Sequence, residues 1–392
     1  MKIMSINAGS SSLKFSLFNM DTDEVLASGL FERIGIDGSC YTIKNSEFKI
    51  KEEVELKDHS DAVKILLDKL IELKIISSYD EIDGVGHRIV HGGDKYTKSV
   101  VVTDEVIDDI IKFSDFAPLH NPAHAICIKA FREVLPNTPM VTVFDTAFHQ
   151  TMEKYNYLYA VPYEWYEKYN VRKYGAHGTS HKYIAKKISE VLGRDDLRII
   201  SCHLGQGGSI TAIKDGKCID TTMGFTPLAG IVMGTRSGDI DPSIIPYVME
   251  KAGMSAGEVV TALNKKSGLL GISGVSSDSR DIEEGIKEGN ERCRLAQDMF
   301  IDSVVRFIGE YYLELGGCDV ITFTAGIGEN SSATRKEIID KLAVLGIKID
   351  EEANKTRGEV AKISADDSTS LVYVVPTNEE LMIAMETRDL IK

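Results

Sequence analysis

The sequence is short of positive charge: 45 Lys and Arg stand against 60 Asp and Glu, a formal net charge of −15. A chain with no basic excess has little to offer a phosphate backbone, so no nucleic-acid partner is expected. No apolar run approaches the roughly 18 residues that a membrane-spanning helix needs, so no membrane role is expected either. The six cysteines (Cys40, Cys127, Cys202, Cys218, Cys293, Cys318) include no CxxC pair. They read as reduced thiols of a cytoplasmic protein. The start of the chain is strand-like and has no charged-then-apolar leader. Three histidine pairs are spaced i, i+4 (His87/His91, His120/His124, His177/His181), but no HExxH occurs. The first pair ends a strand, the second spans Pro122 and the third straddles a helix start, so a zinc site is not expected. Low-complexity linkers are also missing.

What is present is an ordinary globular composition, 43% hydrophobic and 27% charged over 392 residues. That length suits two domains better than one. The organising stretch is Arg198 to Ile213, RIISCHLGQGGSITAI. An apolar run enters the turn Gly205-Gln206-Gly207-Gly208, and Ser209 to Ile213 then alternates as a strand does. A Walker loop or dinucleotide fingerprint would need a helix after the glycines. Here the reading is strand, glycine turn, strand, with backbone N–H groups free to cradle an anion; a plain hairpin with a wide turn is the structural alternative. The N-terminus echoes it. Ile3 to Ile6 is apolar, Asn7 to Ser12 is a small polar turn, and Leu13 to Leu17 alternates. Two such units suggest a duplicated fold. A third glycine turn, Ala325 to Asn330, follows the strand-like Val320 to Phe323 and leads to a helix capped by Ser331 or Ser332.

Along the chain, Glu24 to Leu30 and Phe48 to Leu56 read as strands, and Ser60 to Ile75 as an amphipathic helix. Ile82 to Val90 is a strand interrupted by Gly84 and Gly86. Thr103 to Phe113 and His124 to Val134 read as helices on either side of the loop at Ala117 to Pro122. Pro139 to Phe144 is a buried strand ending at Asp145, and chemistry sits at such carboxyl ends in α/β proteins. The domain boundary is expected near Gln150. Thr179 or Ser180 is expected to cap a helix to Leu192, and Asp215-Gly216 makes a tight turn. Gly224 to Gly238 and Ser267 to Gly274 read as loops, Glu291 to Leu315 as a long helix and Leu371 to Val375 as the last strand. Thr377 or Asn378 caps the final helix.

Loop arginines Arg88 and Arg236, a strand-end Asp145 and three anion-cradling turns fit phosphoryl transfer, which depends on charge neutralisation and positioning. A surface arginine is the plainer reading of Arg88. Asn7 and Glu379 are oxygen donors that suit magnesium, which takes few protein oxygens.

The motifs INAGSSSLKFSLF (Ile6 to Phe18), GHRIVHGG (Gly86 to Gly93), APLHNPAH (Ala117 to His124), FDTAFH (Phe144 to His149), YGAHGTSH (Tyr174 to His181), HLGQGGS (His203 to Ser209), GTRSGDIDP (Gly234 to Pro242), AGIGENS (Ala325 to Ser331) and PTNEE (Pro376 to Glu380) run in order through the chain. Together they resemble the acetate kinase family. The resemblance implies an α/β fold of two duplicated actin-like (ribonuclease H-like) domains flanking an ATP cleft, spanning 1–150 plus 377–392 and 151–376. It implies reversible transfer from ATP to acetate, giving acetyl phosphate and ADP, with Mg²⁺ (or Mn²⁺) and a homodimer. Arg88 would bind the carboxylate or the transferring group, with Val90, Leu119, His120 and Pro227 around the substrate. Asp145 would orient the reacting groups or act as acid or base, Arg236 would stabilise the transition state, and His177 would donate to its equatorial oxygens. Lys14, Ser10, Ser12 and the turn His203, Leu204, Gly205, Gln206, Gly207 would hold phosphates. Asp278, Ser279, Arg280 and Gly326, Ile327, Gly328, Glu329, Asn330 would line the nucleotide pocket, and Asn7 and Glu379 would position the metal.

Two residues depart from the pattern that the resemblance implies. The family has Phe where this chain has Ala176, and Asn where it has Gln206. With Phe absent the alkyl pocket should be larger, so propionate or butyrate should be handled better than is usual in the family. A sugar kinase of the same superfamily would need a polyol pocket instead of an apolar one beside an arginine. An actin- or chaperone-like ATPase would turn over ATP without a carboxylate.

Overall fold

The computed structural model describes residues 1–118 and 120–392. Leu119, expected among the substrate contacts, lies outside the described residues. The chain forms two compact units, Met1–Phe148 with Asn378–Lys392, and His149–Thr377.

The first unit is built on strands β1 (Lys2–Ala8), β2 (Ser12–Asn19), β3 (Glu24–Glu32), β4 (Cys40–Lys44), β5 (Lys49–Glu53), β6 (Gly84–Ile89), β7 (Val100–Val101) and β8 (Met140–Phe144). Their order in the sheet is β5-β4-β3-β2-β1-β6-β8-β7. β1, β2 and β3 pair antiparallel, while β6 runs parallel to β1 and β8 parallel to β6. The second unit carries β9 (Arg198–Leu204), β10 (Gly208–Lys214), β11 (Lys217–Thr221), β12 (Val320–Thr324), β13 (Ala361–Lys362) and β14 (Leu371–Val374), in the order β11-β10-β9-β12-β14-β13. Again the first three strands pair antiparallel and the next two run parallel to the first. Both units therefore share one five-strand arrangement: third, second, first, fourth, fifth. The duplication expected from the two glycine hairpins is present at the level of topology, and the fold class is a mixed α/β one with two sheets.

The reasons lie in the side chains. β8 and β12 are buried at every position, as central parallel strands covered on both faces must be. One face of the first sheet packs Leu13, Phe15 and Leu17 against Val63, Leu66, Leu67 and Leu70 of helix His59–Glu72. The opposite face meets the C-terminal helix Glu379–Ile391, with Ile383 set against Val141 and Val143. The glycines that interrupt β6 make room for it. A Cβ at Gly86 would collide with Thr387 and come within 2.6 Å of Ile383 Cγ2, and one at Gly84 would lie 2.6 Å from Ile391 Cδ1. In the second unit, Phe300, Ile301, Val304 and Ile308 of helix Glu291–Glu314 join Ile200, Cys202, Ile210 and Ala212 in one apolar core.

Several local expectations differ from the structure. The glycine turn at Ala325 to Asn330 is itself a short helix, entered by Ala325 at φ 64°, and Ser331 caps the next helix, Ser332–Lys341. Ser267 to Gly274 is not a loop: Gly268–Ser273 is helical, with Leu269 buried in the core. The helix expected to be capped by Thr179 or Ser180 begins earlier, at Gly178, with His177 in the cap position at φ 56°. Thr179 and Ser180 are buried inside it. Of the two caps expected for the last helix, Thr377 and Asn378, it is Asn378 that serves, accepting from Leu381 N at 3.0 Å.

Candidate functional site

In the first unit, β6 and β8 run side by side, with Ile89 opposite Phe144. Their carboxyl ends bring Arg88 and Asp145 together: Arg88 Nε and Nη2 donate to Asp145 Oδ2 at 2.8 and 2.6 Å. Asp145 is buried at 2% exposure while the Arg88 side chain keeps 21%, so the guanidinium presents its remaining donors from a fixed base. Burial works against the charge on Arg88, but Asp145 and Glu379 outweigh it and hold the group firmly protonated. Glu379 opens the C-terminal helix. Its carboxyl is pushed up, first by burial and then by Asp145 and Glu380 against the pull of Arg88 and Lys14. Lys14, on the exposed side of β2, is ion-paired with Glu380. Asp145, Glu379 and Glu380 thus face Arg88 and Lys14, three carboxyl groups to two cations.

A divalent cation beside Glu379 would favour its ionised form and so offset the burial that pushes the carboxyl up. Among the described residues no group of three or more His, Cys, Asp or Glu is arranged to hold a metal. Asn7 lies opposite Lys14 in the β1–β2 register. Ser10 is exposed in the bend between these strands and Ser12 opens β2. The bend is tied down by Gly9 N donating to Ser12 O at 2.8 Å and by His59 Nε2, 2.8 Å from Gly9 O. Val90 is half-buried just past β6, and His120 is exposed at the start of helix Asn121–Val134.

In the second unit a cavity of about 600 Å³ is lined by Gly205, Gln206, Asp278, Ser279, Arg280, Gly326, Ile327 and Asn330. Three segments singled out in the sequence, 70 and 120 residues apart, meet here at a size suited to a nucleotide. Ser331, which closes the AGIGENS motif, also lines it, as do Glu283 and Arg357; isolated charged residues such as these two carry no motif by which a sequence could reveal them. Gly328 and Glu329 are not among the lining residues. Glu329 works on the backbone instead: its Oε1 accepts from Ala325 N at 2.8 Å and Thr377 N at 3.1 Å. Asp278 caps helix Ser279–Lys287 and binds Arg280 through both carboxylate oxygens, at 3.0 and 2.6 Å. The Arg280 bonds hold the Asp278 carboxyl down at about 2.

Beside the turn stands Arg236. It is half-buried, and burial lowers its pKa. Its Nη1 donates to Pro227 O at 3.1 Å and touches Met233 Sδ at 3.7 Å. No carboxylate pairs with it among the described residues. A Cβ at Gly207 would lie 3.2 Å from Nη1, so the bare glycine lets the guanidinium lie against the turn. Gln206 does not extend freely: a Cβ at Gly234 would overlap its Oε1, and Gly234 N donates to Gln206 O at 3.1 Å. The longer amide is folded over the arginine loop.

His177 occupies a left-handed backbone position. Its Nδ1 is 2.9 Å from Ser209 Oγ and its ring stacks on His203, centroids 4.2 Å apart. Leu204 is fully buried beneath the turn. Ala176 belongs to the apolar core of this unit, and its carbonyl is 2.8 Å from His149 Nε2.

In the second unit an arginine with no carboxylate partner among the described residues lies against a glycine turn, and a cavity of nucleotide size lies in the same unit; in the first unit an arginine–carboxylate pair sits at two strand ends. The acetokinase family profile matches residues 2–385.

The chain belongs to the acetokinase family.

The acetate kinase of Bacillus subtilis (strain 168) is 56% identical over 393 residues, spanning 100% of both chains. That of Anoxybacillus flavithermus is 56% identical over 387 residues, 98% of each. Among solved structures, Porphyromonas gingivalis acetate kinase matches with a TM-score of 0.96 at 44% identity over all of both chains. A propionate kinase from Francisella tularensis matches at 0.93 and 44%, over 99% of both. Whole-chain coverage at this identity makes the acetokinase assignment one of the entire molecule.

Proposed function

We propose that this acetokinase transfers the γ-phosphoryl group of ATP to acetate, reversibly, giving acetyl phosphate and ADP. A carboxylate oxygen attacks phosphorus in line and the bond to ADP breaks. Acetate is already ionised at neutral pH, so no proton has to be removed and no general base is required. Asp145 is therefore assigned to orient Arg88, and Arg88 to hold the incoming carboxylate. Arg236 neutralises charge on the transferring group and His177 donates to its oxygens. The Gly205–Gly207 turn and the cavity around Asp278 and Gly326 hold the nucleotide. Asn7 and Glu379 would hold Mg²⁺, which would screen the phosphate charges. The observation that carries the reading is Arg236, a half-buried cation that has no carboxylate partner among the described residues and rests on a glycine turn. An anion completes it.

The six buried free cysteines support a reducing, cytoplasmic setting. Tyr155, Tyr163, Trp165, Tyr169 and Tyr247 are exposed in the second unit, and exposed aromatics of this kind support a homodimer. Ala176, in place of a bulky ring, supports a second reading in which propionate or butyrate is used more readily than is usual for the family; a methylene in such a pocket changes kcat/KM by about 1–3 kcal/mol. A panel of formate, acetate, propionate and butyrate with ATP and hydroxylamine tests both, because only an acyl phosphate yields a hydroxamate. Acetate should give product. ATP hydrolysis without hydroxamate from any acid would overturn the assignment.

A further inference from the structure

Ser209 has one hydroxyl hydrogen and two imidazole neighbours. Its Oγ lies 2.9 Å from His177 Nδ1 and 2.8 Å from His181 Nε2. The other nitrogen of His181, Nδ1, lies 2.9 Å from Ser201 Oγ. Ser201, His181 and Ser209 are all fully buried. The spacing follows from the fold. Ser201 on β9 and Ser209 on β10 belong to adjacent antiparallel strands in which Ser209 faces His203 and Ser201 faces Thr211. His177 and His181 stand one turn apart at the start of helix Gly178–Leu192.

His181 is neutral: burial, then the neighbouring His149 and His203, push its pKa well below the ordinary value. A neutral imidazole carries a single N–H, so two arrangements complete the chain. In one, His181 donates from Nδ1 to Ser201, accepts from Ser209 at Nε2, and His177 must donate from Nδ1 to Ser209. The Ser201 hydroxyl hydrogen is then buried without an acceptor, since His181 is its sole hydrogen-bond partner among the described residues. In the other, Ser201 donates to His181 Nδ1, His181 Nε2 donates to Ser209, and Ser209 donates to His177 Nδ1. Every hydroxyl hydrogen then has an acceptor, and burying an unmet donor is unfavourable. The second arrangement leaves the His177 proton on Nε2.

We propose that Ser201, His181 and Ser209 are positioning residues that fix His177 as the neutral tautomer protonated on Nε2. His177 is thereby a hydrogen-bond donor on the side away from Ser209 without having to become an imidazolium. The left-handed backbone of His177 and the His203 stack hold the ring in place for it. The inference rests on the reading of His177 as a donor to the transferring phosphoryl group.

Two measurements test it. In the full chain labelled with ring-¹⁵N histidine, two-bond ¹H–¹⁵N correlations at pH 8 should show His177 with a pyrrole-like Nε2 and a pyridine-like Nδ1, His177→Gln supplying the assignment. A pyrrole-like Nδ1 overturns the proposal, whatever the activity. Ser209→Ala should lower kcat roughly tenfold, the scale of one lost hydrogen bond, with KM for ATP and acetate little changed; an unchanged kcat also overturns it. The two ideas fail separately. A wild-type protein that shows the Nε2 tautomer but makes no hydroxamate refutes the kinase reading alone. An active enzyme with the proton on Nδ1 refutes the tautomer alone.

Discussion

Arg236 and Arg335 are both withdrawn from solvent, and they do opposite things. Arg335 is fully buried and saturated: it donates to Asn354 Oδ1, Gly328 O, Glu329 O, Asn354 O and Thr356 O. It closes the carbonyl end of helix Ala325–Asn330 and has no donor to spare. Arg236 spends one nitrogen on Pro227, and the rest of the guanidinium has no hydrogen-bond partner among the described residues. The positions in the chain forecast this difference only in part. Arg236 stands in a glycine-rich loop, where a cation has little structural use, and Arg335 lies within a helix that gives no hint of its acceptors. Asp145 was legible because a buried strand stops there. The fold of Gln206 over Gly234 was not, since it depends on a loop nearly 30 residues downstream. Arg236→Ala should reduce kcat on the order of 10²–10³-fold, the effect of removing one preorganised charge from a transition state. If steady-state kinetics instead show a near-normal kcat with a raised KM, Arg236 binds substrate and does not act on the transition state.

At the scale of elements, glycine is where the sequence was hardest to read. Gly84 and Gly86 interrupt an otherwise apolar strand, and from the chain alone they mark only a weakened β6. The structure gives the reason: they are the floor on which Ile383, Thr387 and Ile391 of the last helix rest. The partner arrives some 300 residues later, so no local pattern records it. Gly268 and Gly274 were misleading in the other direction. They punctuate a segment that reads as a loop, yet Leu269 has a core to enter and the residues between them wind into Gly268–Ser273. Strongly periodic helices such as His59–Glu72 and Glu291–Glu314 fell within a few residues of their expected bounds. Gly86→Ala should therefore destabilise the first unit by about 1–3 kcal/mol through overpacking. Hydrogen exchange should also rise along Glu379–Ile391 as the helix loses its seat. Unchanged denaturant midpoint and unchanged protection of that helix would show that the close approach is not needed for docking.

For the molecule as a whole, the duplicated topology was visible early because each copy begins with a strand, a small polar turn and a strand. The buried histidines were visible as pairs but not as a set, because what matters is their desolvation and not their spacing. Burial, then His124, lowers His87 to about 3; burial lowers His91 to about 4; burial, then Arg88 and His120, lowers His124 to about 3. His181 is lowered too, well below the ordinary value. His87 Nε2 has no hydrogen-bond partner among the described residues, as a ring that never ionises can tolerate. These four are neutral in the fold and titrate near 6.5 once the chain unfolds. Below that pH the unfolded chain binds more protons than the folded one, so stability falls as pH drops and is fully present above it. Each histidine contributes a loss of roughly 1.4 kcal/mol between neutral pH and pH 5.5, or roughly 5–6 kcal/mol for four. Asp220 and Glu379, whose carboxyls are raised chiefly by burial, act in the opposite sense and blunt the decline toward their own titration. The urea midpoint should thus be level between pH 7.5 and 8.5 and fall steeply from pH 6.5 to 5.5. His87→Phe, which removes one of the four titrations, should make that fall shallower by about a quarter. A midpoint at pH 5.5 equal to that at pH 8 would mean that these rings take up protons in the folded protein, and that the interior is less apolar around them than their burial implies.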